Sequence, residues 1–332
     1  MKRVAVIGFG FMGITHSLNI LKCKDLELVA IIEKNVDSVK EKIGQKIGNL
    51  STGDVDTETL AKVPVYPTFE LCLKIEKLDA VHVCVHTDLH YSMVKNALNK
   101  GLNVLVEKPF CLDINEGEEL IELAIKKKRI LMVAHVVRFM SPYQKLVEMI
   151  DSMEYGKLKF LSLTRFSGVP EWGQWKEKQK DFGASGGALF DLLIHDIDFA
   201  AFALKENPEK IESTVLPGKL SNHDYVNAIW HYPSKNLKVK IEGGNIFHAN
   251  YPFQAGFTAV FEKATVHFSS QNSESIFIEN NVEQKSIPAG DLNEGYFAEI
   301  ELFSKSMEKD FLPEKYNAES ALETIRQCYR HV

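Results

Sequence analysis

Apolar and polar positions along this chain follow two different periods, and the change of period divides it. In the first part, short, largely apolar runs recur at 4–7, 28–32, 63–66, 80–85, 102–106 and 130–134. Runs of this length, rich in Val and Ile, read as strands buried on both faces. Between them, apolar residues fall three and four apart, which predicts helices. Ile14, Leu18 and Leu21 mark the first helix. Others are expected over 36–47, 69–75, 89–99 (stopped by Gly101) and 114–128, with a Gly/Asp/Thr-rich loop at 48–59. Strands that alternate with helices imply right-handed crossovers and a parallel sheet.

After about residue 136 the period becomes two, as at 237–241, 257–261, 265–268 and 275–278. Strands separated by turns predict a mostly antiparallel sheet. One helix is expected within this half, over 186–202, and two more close the chain, over 296–307 and 318–329. The fold class is therefore α/β, an N-terminal domain on a parallel sheet over 1–125 followed by a C-terminal α+β domain on an open, mostly antiparallel sheet over 126–332. Ile241, Phe247, Phe257 and Phe261 give the late strands an apolar face, which suggests cover by a second subunit in a homodimer or homotetramer.

The turn after the first strand is specific. There Gly8, Phe9, Gly10, Phe11, Met12 and Gly13 form G-x-G-x-x-G between a strand and a helical pattern, which marks the first domain as a dinucleotide-binding domain of the Rossmann type. Gly8 permits the tight turn, Gly10 lets backbone approach a pyrophosphate, and Gly13 lets the next helix pack closely on the sheet. That helix is expected to start near Phe11, with its free N–H groups and positive dipole end toward the phosphates. Glu33 ends the second strand, twenty residues after Gly13. A carboxylate there accepts from adenosine ribose hydroxyls and repels a 2′-phosphate, so NAD is favoured. Lys34 partly offsets that repulsion and keeps NADP open.

Composition narrows the class further. The 332 residues are 45% hydrophobic and 25% charged, which indicates an ordered globular protein. A net charge of −6 with interspersed signs argues against a nucleic-acid partner. No apolar run is long enough to span a membrane and no signal peptide precedes the first strand. Cys23, Cys72, Cys84, Cys111 and Cys328 have neither metal nor redox spacing, consistent with reduced thiols in a cytoplasmic protein.

Further stretches carry a family resemblance. Glu107-Lys108-Pro109 follows the fifth strand, and Gly186-Gly187 leads to Asp191 and His195. The run from Asp79 to Cys84 leads to His90, and Val137-Arg138-Phe139 precedes Pro142. Glu299 lies in the first closing helix. Together with the glycine turn, this set resembles the glucose–fructose oxidoreductase and inositol dehydrogenase family, Gfo/Idh/MocA, over nearly the whole chain. The resemblance implies hydride transfer between nicotinamide and a hydroxyl or ketone carbon of a sugar, inositol or related cyclic polyol. It places the family's catalytic lysine on Lys108, and its aspartate and histidine on Asp191 and His195. It also implies cofactor contacts at Val85, His86, His90, Glu107 and Lys108. Where many members have Thr-Pro-Asn after the fourth strand, this chain has Val85-His86-Thr87-Asp88.

The residues themselves suit that chemistry. Oxidation of a secondary alcohol needs one group to take the hydroxyl proton and another to hold the oxygen as charge develops. Lys108 follows a buried strand at its carboxyl end, where ligands bind in open α/β sheets. Asp191 and His195, four apart in a helix, lie on one face. The imidazole is the expected general base, with Asp191 orienting substrate or Lys108. Arg138 and Trp172 are expected at the substrate, the latter with Trp175 and Phe182 in a lid over 166–185 whose indole faces stack on a sugar ring. His86 and His90 are four apart, but no further ligand is spaced for a metal. His16 is expected to pack, and Asp196 and Asp198 to be structural. Two alternatives remain: a non-catalytic dinucleotide sensor, as some relatives of this fold are, and a sugar–sugar oxidoreductase that keeps its cofactor bound.

Overall fold

The computed structural model describes residues 1–43, 57–169 and 186–332. Two compact units emerge, residues 1–136 with 293–322, and residues 137–292 with 323–332.

The first unit runs β1 (Lys2–Ile7), α1 (Phe11–Lys22), β2 (Leu26–Ile32), α2 (Val36–Lys42), α3 (Thr57–Ala61), β3 (Val65–Tyr66), α4 (Phe69–Ile75), β4 (Ala80–Val83), α5 (His90–Asn99), β5 (Asn103–Glu107), α6 (Ile114–Lys127) and β6 (Leu131–Ala134). Its six strands lie in the order β3-β2-β1-β4-β5-β6, and each neighbouring pair is parallel. Winding goes outward from β1 through β2 and β3, then resumes on the other side of β1 at β4. This reversal leaves a crevice at the carboxyl ends of β1 and β4, the position where open α/β sheets bind ligands. The central strands are apolar because helices cover both their faces: Val4, Val6, Val81, Val104 and Val106 have no exposed surface.

The boundary expected at 125/126 falls inside α6. β6 pairs with β5 from Val104↔Leu131 to Glu107↔Ala134, so its backbone is bonded into the first sheet and the division falls after it.

The second unit holds α7 (Ser141–Ser152), β7 (Leu158–Gly168), α8 (Ile194–Leu204), β8 (Lys210–Leu216), β9 (Tyr225–Tyr232), β10 (Leu237–Phe247), β11 (Gln254–Phe261), β12 (Thr265–Ser269), β13 (Asn272–Glu279) and β14 (Gln284–Pro288). The chain closes with α9 (Glu294–Lys309) and α10 (Ala318–Tyr329). The eight strands lie in the order β14-β13-β12-β11-β7-β10-β9-β8. Only β7 and β10 pair in parallel. α9 packs in the first unit, where the ring of Phe303 stands edge-on to His82 at 5.4 Å. An apolar helical stripe shows that one face is covered, and it does not say by which sheet.

The same limit corrects the subunit reading of the late strands. Ile241, Phe257 and Phe261 are buried within their own unit. Tyr143 of α7 stands edge-on to Phe257 at 5.5 Å and to Phe199 of α8 at 4.8 Å, so the unit's own helices cover that sheet face. Each such fully buried side chain contributes about 1.5–3 kcal/mol. Phe247 instead stacks on Tyr251, with ring centroids 4.4 Å apart. No described helix is long and apolar enough to cross a membrane.

The carboxyl terminus is anchored by a buried histidine. His331 donates from Nδ1 to the Gln327 carbonyl (2.8 Å) and accepts at Nε2 from the Trp230 indole N–H (2.9 Å). This arrangement requires a neutral ring, and burial lowers its pKa from the ordinary 6.5 to about 4. Between those two values the unfolded chain holds the proton and the folded one does not. Stability is therefore fully present above the upper value and falls as pH drops toward the lower, by about 1.4 kcal/mol per unit and about 3 kcal/mol in all. Urea titrations at stepped pH are expected to show a shallower acid loss for His331→Gln than for the wild type. Equal slopes would show that His331 does not carry this loss.

Candidate functional site

The glycine turn is built by close approach of backbone. Gly8 adopts φ +91°, and a Cβ there would lie 2.5 Å from the carbonyl oxygen of Cys84. A Cβ on Gly13 would lie 2.0 Å from the carbonyl oxygen of Gly8, so only glycine lets α1 start this close to β1. Helix α1 begins at Phe11, and no side chain caps its amino end. The carboxylate of Glu33 is drawn onto the turn: Oε2 accepts from Phe9 N–H at 3.0 Å, and Oε1 from Asn35 N–H at 3.2 Å. Each carboxylate oxygen retains a lone pair for a further donor. Lys34 is exposed, while Lys42, which the sequence did not single out, brings its ammonium within 4.0 Å of Glu33.

Beside this turn, the Cys84 N–H donates to Ile7 O at 2.8 Å, which sets Val85 and His86 at the same sheet edge. His90 serves this edge from below. It is 1% exposed, with Nδ1 2.8 Å from the Pro109 carbonyl and Nε2 3.1 Å from the Val85 carbonyl. Burial lowers its pKa, and the two carbonyls oppose that effect. Its expected cofactor contact thus becomes the tying together of two loops. Glu107 is likewise buried. It takes His16 Nε2 on Oε1 at 3.0 Å and Lys108 N–H on Oε2 at 3.2 Å. Lys108 itself is half-buried at the carboxyl end of β5, and the Lys108–Pro109 bond is cis.

In the second unit the single helix expected over 186–202 is broken up. A π-helical turn, Leu189–Leu193, carries Asp191, and α8 follows with His195 as its second residue. Such one-residue insertions are frequent at functional sites. Asp191 and His195 are both half-buried. Arg138 is 4% exposed, and its Nε and Nη2 donate to both oxygens of Asp198 at 2.7 and 2.5 Å. These bonds make Arg138 a structural anchor, in contrast to the substrate contact expected from the sequence. Asp196 pairs similarly with Arg165 of β7, at 2.7 and 3.1 Å. Trp172, Trp175 and Phe182 lie outside the described residues.

Comparison with known proteins follows the same division. Residues 2–135 match the oxidoreductase family with an NAD-binding Rossmann fold, and residues 143–267 match the GFO/IDH/MocA C-terminal domain. This chain belongs to the GFO/IDH/MocA family. Similar proteins include a myo-inositol 2-dehydrogenase of Thermotoga maritima, 28% identical over 71% of this chain and 67% of that protein. An inositol 2-dehydrogenase of Rhizobium meliloti is 25% identical over 92% of this chain and 89% of its own. The solved UDP-N-acetylglucosamine 3-dehydrogenase of Acidithiobacillus ferrooxidans superposes with a TM-score of 0.79, over 99% of this chain and 95% of its own. At 17% identity that likeness speaks to the fold.

As a GFO/IDH/MocA member, the chain is an NAD(P)-dependent oxidoreductase acting on CH–OH groups. Its first unit fits the cofactor. A Cβ at Gly10 would meet nothing within 4 Å, so the turn leaves room for a diphosphate against the uncapped end of α1. Sequence reasoning on this GFO/IDH/MocA chain missed the partners of His16. Its Nδ1 lies 2.9 Å from Nδ1 of His82, a polar residue in the buried strand β4. The available signal was an imidazole inside an otherwise apolar run, which costs free energy unless it is partnered.

Proposed function

We propose that this protein interconverts a secondary hydroxyl and its ketone on a cyclic polyol or sugar, with NAD preferred over NADP. One observation carries the reading: Lys108 stands at the sheet edge that also bears the glycine turn and Glu33, its backbone N–H held by the Glu107 carboxylate. When bound, nicotinamide supplies the hydride acceptor or donor. The chain's own groups supply the rest. The Lys108 ammonium donates to the reacting oxygen and stabilises it as negative charge develops. His195 takes the hydroxyl proton, and Asp191 orients substrate or Lys108. The relatives named for inositols support a ring-bearing substrate. Trp172 is proposed as the residue that stacks on that ring.

The test is turnover of purified protein with NAD or NADP and a panel of inositols, glucosides and UDP-N-acetylglucosamine, followed by NADH or NADPH absorbance. Reduction of NAD with a cyclic polyol is expected. NAD binding with no turnover of any ring substrate would favour the sensor reading instead. On cofactor choice, Glu33→Ala is expected to shift kcat/KM toward NADP, since a 2′-phosphate no longer meets a carboxylate. The variant should also bind NAD more weakly, because Glu33 holds Phe9 of the turn. An unchanged NAD/NADP ratio would remove Glu33 from the ribose.

A further inference from the structure

Beneath Lys108 the first unit buries a chain of polar side chains whose protons have one satisfactory arrangement. His16 and His82 have no exposed surface, and Glu107 is 6% exposed. A carboxylate only accepts, so His16 Nε2 carries a proton and donates to Glu107 Oε1 at 3.0 Å. In a neutral His16 ring, Nδ1 is then an acceptor. The proton in the 2.9 Å contact between the two Nδ1 atoms therefore belongs to His82. Protonating His16 on both nitrogens would force the His82 proton onto Nε2, which has no hydrogen-bond partner among the described residues. A buried donor left in that state costs about 1–3 kcal/mol. Burial, and then the proximity of His16, hold the His82 pKa well below its ordinary value, which keeps that ring neutral. Among the described residues, the other ionisable groups gathered here include Glu299 of α9, 1% exposed, Cys84 after β4, and the buried His90, which the Glu107 charge also reaches. The Cys84 thiol is pushed up by burial, then by Glu107, then by Glu299.

We propose that His82 and His16 are positioning residues for Lys108. His82 Nδ1–H fixes the His16 tautomer, His16 fixes the Glu107 carboxylate, and Glu107 holds the Lys108 backbone N–H. This inference rests on the role of Lys108 proposed above. It explains why a buried strand reading Ala80-Val81-His82-Val83 carries an imidazole, since packing alone is served by any aliphatic residue.

The test turns on a donor at one atom. In His82→Asn the amide nitrogen replaces Nδ1 in nearly the same place, whereas His82→Leu offers similar bulk and no donor. Hydrogen exchange of the Lys108 amide, read without substrate, is expected to quicken in His82→Leu and stay near wild type in His82→Asn. With NAD and the panel polyol of fastest turnover, His82→Leu is expected to lower kcat by about 10- to 100-fold, with KM for NAD unchanged. His82→Asn should recover most of that loss. In the wild type, nitrogen NMR of labelled histidines should show His82 protonated at Nδ1 and His16 at Nε2. Unchanged Lys108 amide exchange in His82→Leu, equal behaviour of the two variants, or a wild-type His82 protonated at Nε2 would each overturn the proposal. The amide and tautomer readings stand independently of turnover. An active Lys108→Met would overturn the catalytic reading of Lys108 instead, and so separates the two failures.

Discussion

Lys108→Met is expected to lower kcat by about 10²–10³-fold, the usual cost of removing a donor from a developing oxyanion. The substitution keeps the length of the side chain and removes its charge. His195→Ala is expected to cost about 10²–10⁴-fold, as for a general base. Both variants should still bind NAD, because the turn Gly8 to Gly13 and Glu33 are untouched. The double variant should be less impaired than the product of the two singles, since groups acting on one transition state are not additive. The measurements are single-turnover hydride transfer, by stopped-flow, and a separate NAD titration. Near-normal turnover in one single variant would strike that residue from the mechanism. Near-normal turnover in both would strike both residues from the mechanism and leave the proton transfer to other groups.

The second large effect is on stability. Asp198→Ala is expected to cost about 3–5 kcal/mol, because it strips a buried guanidinium of its carboxylate. Asp198 is 1% exposed and takes both Arg138 donors, and its Oδ1 also accepts from Thr324 Oγ1 of α10 at 2.8 Å. The same charge helps burial push the Cys328 thiol up. Three segments of the second unit therefore share one carboxylate. Arg138→Met combined with Asp198→Leu should regain most of the loss, since a buried pair is often replaceable by apolar residues of similar volume. Urea unfolding is the measurement. An Asp198→Ala variant within about 1 kcal/mol of wild type would show that the pair contributes little, as exposed pairs do.

What the sequence by itself determined is what depends on near neighbours along the chain. Largely apolar runs marked the parallel strands, because those strands are covered on both faces. The glycines at 8 and 13 were legible because a turn with these φ values and approaches tolerates no Cβ. The places of Glu33 and Lys108, directly after the carboxyl ends of β2 and β5, were legible because the strand pattern is local. Asp196 and Asp198 read correctly as structural. Their partners, Arg165 and Arg138, were beyond reach, since the pairs span 31 and 60 positions. The partnership of His16 with His82 spans 66 positions and that with Glu107 spans 91. Only the packing of α1 across β4 and β5 decides it. Tertiary structure also decided which side of the division owns β6 and α9, because hydrogen bonding and burial assign an element where periodicity shows only that one of its faces is covered. The same cause turned Ile241, Phe257 and Phe261 from an expected subunit contact into the core of their own unit. Local pattern fixes which side chains turn inward, and only the folded chain supplies what they turn toward.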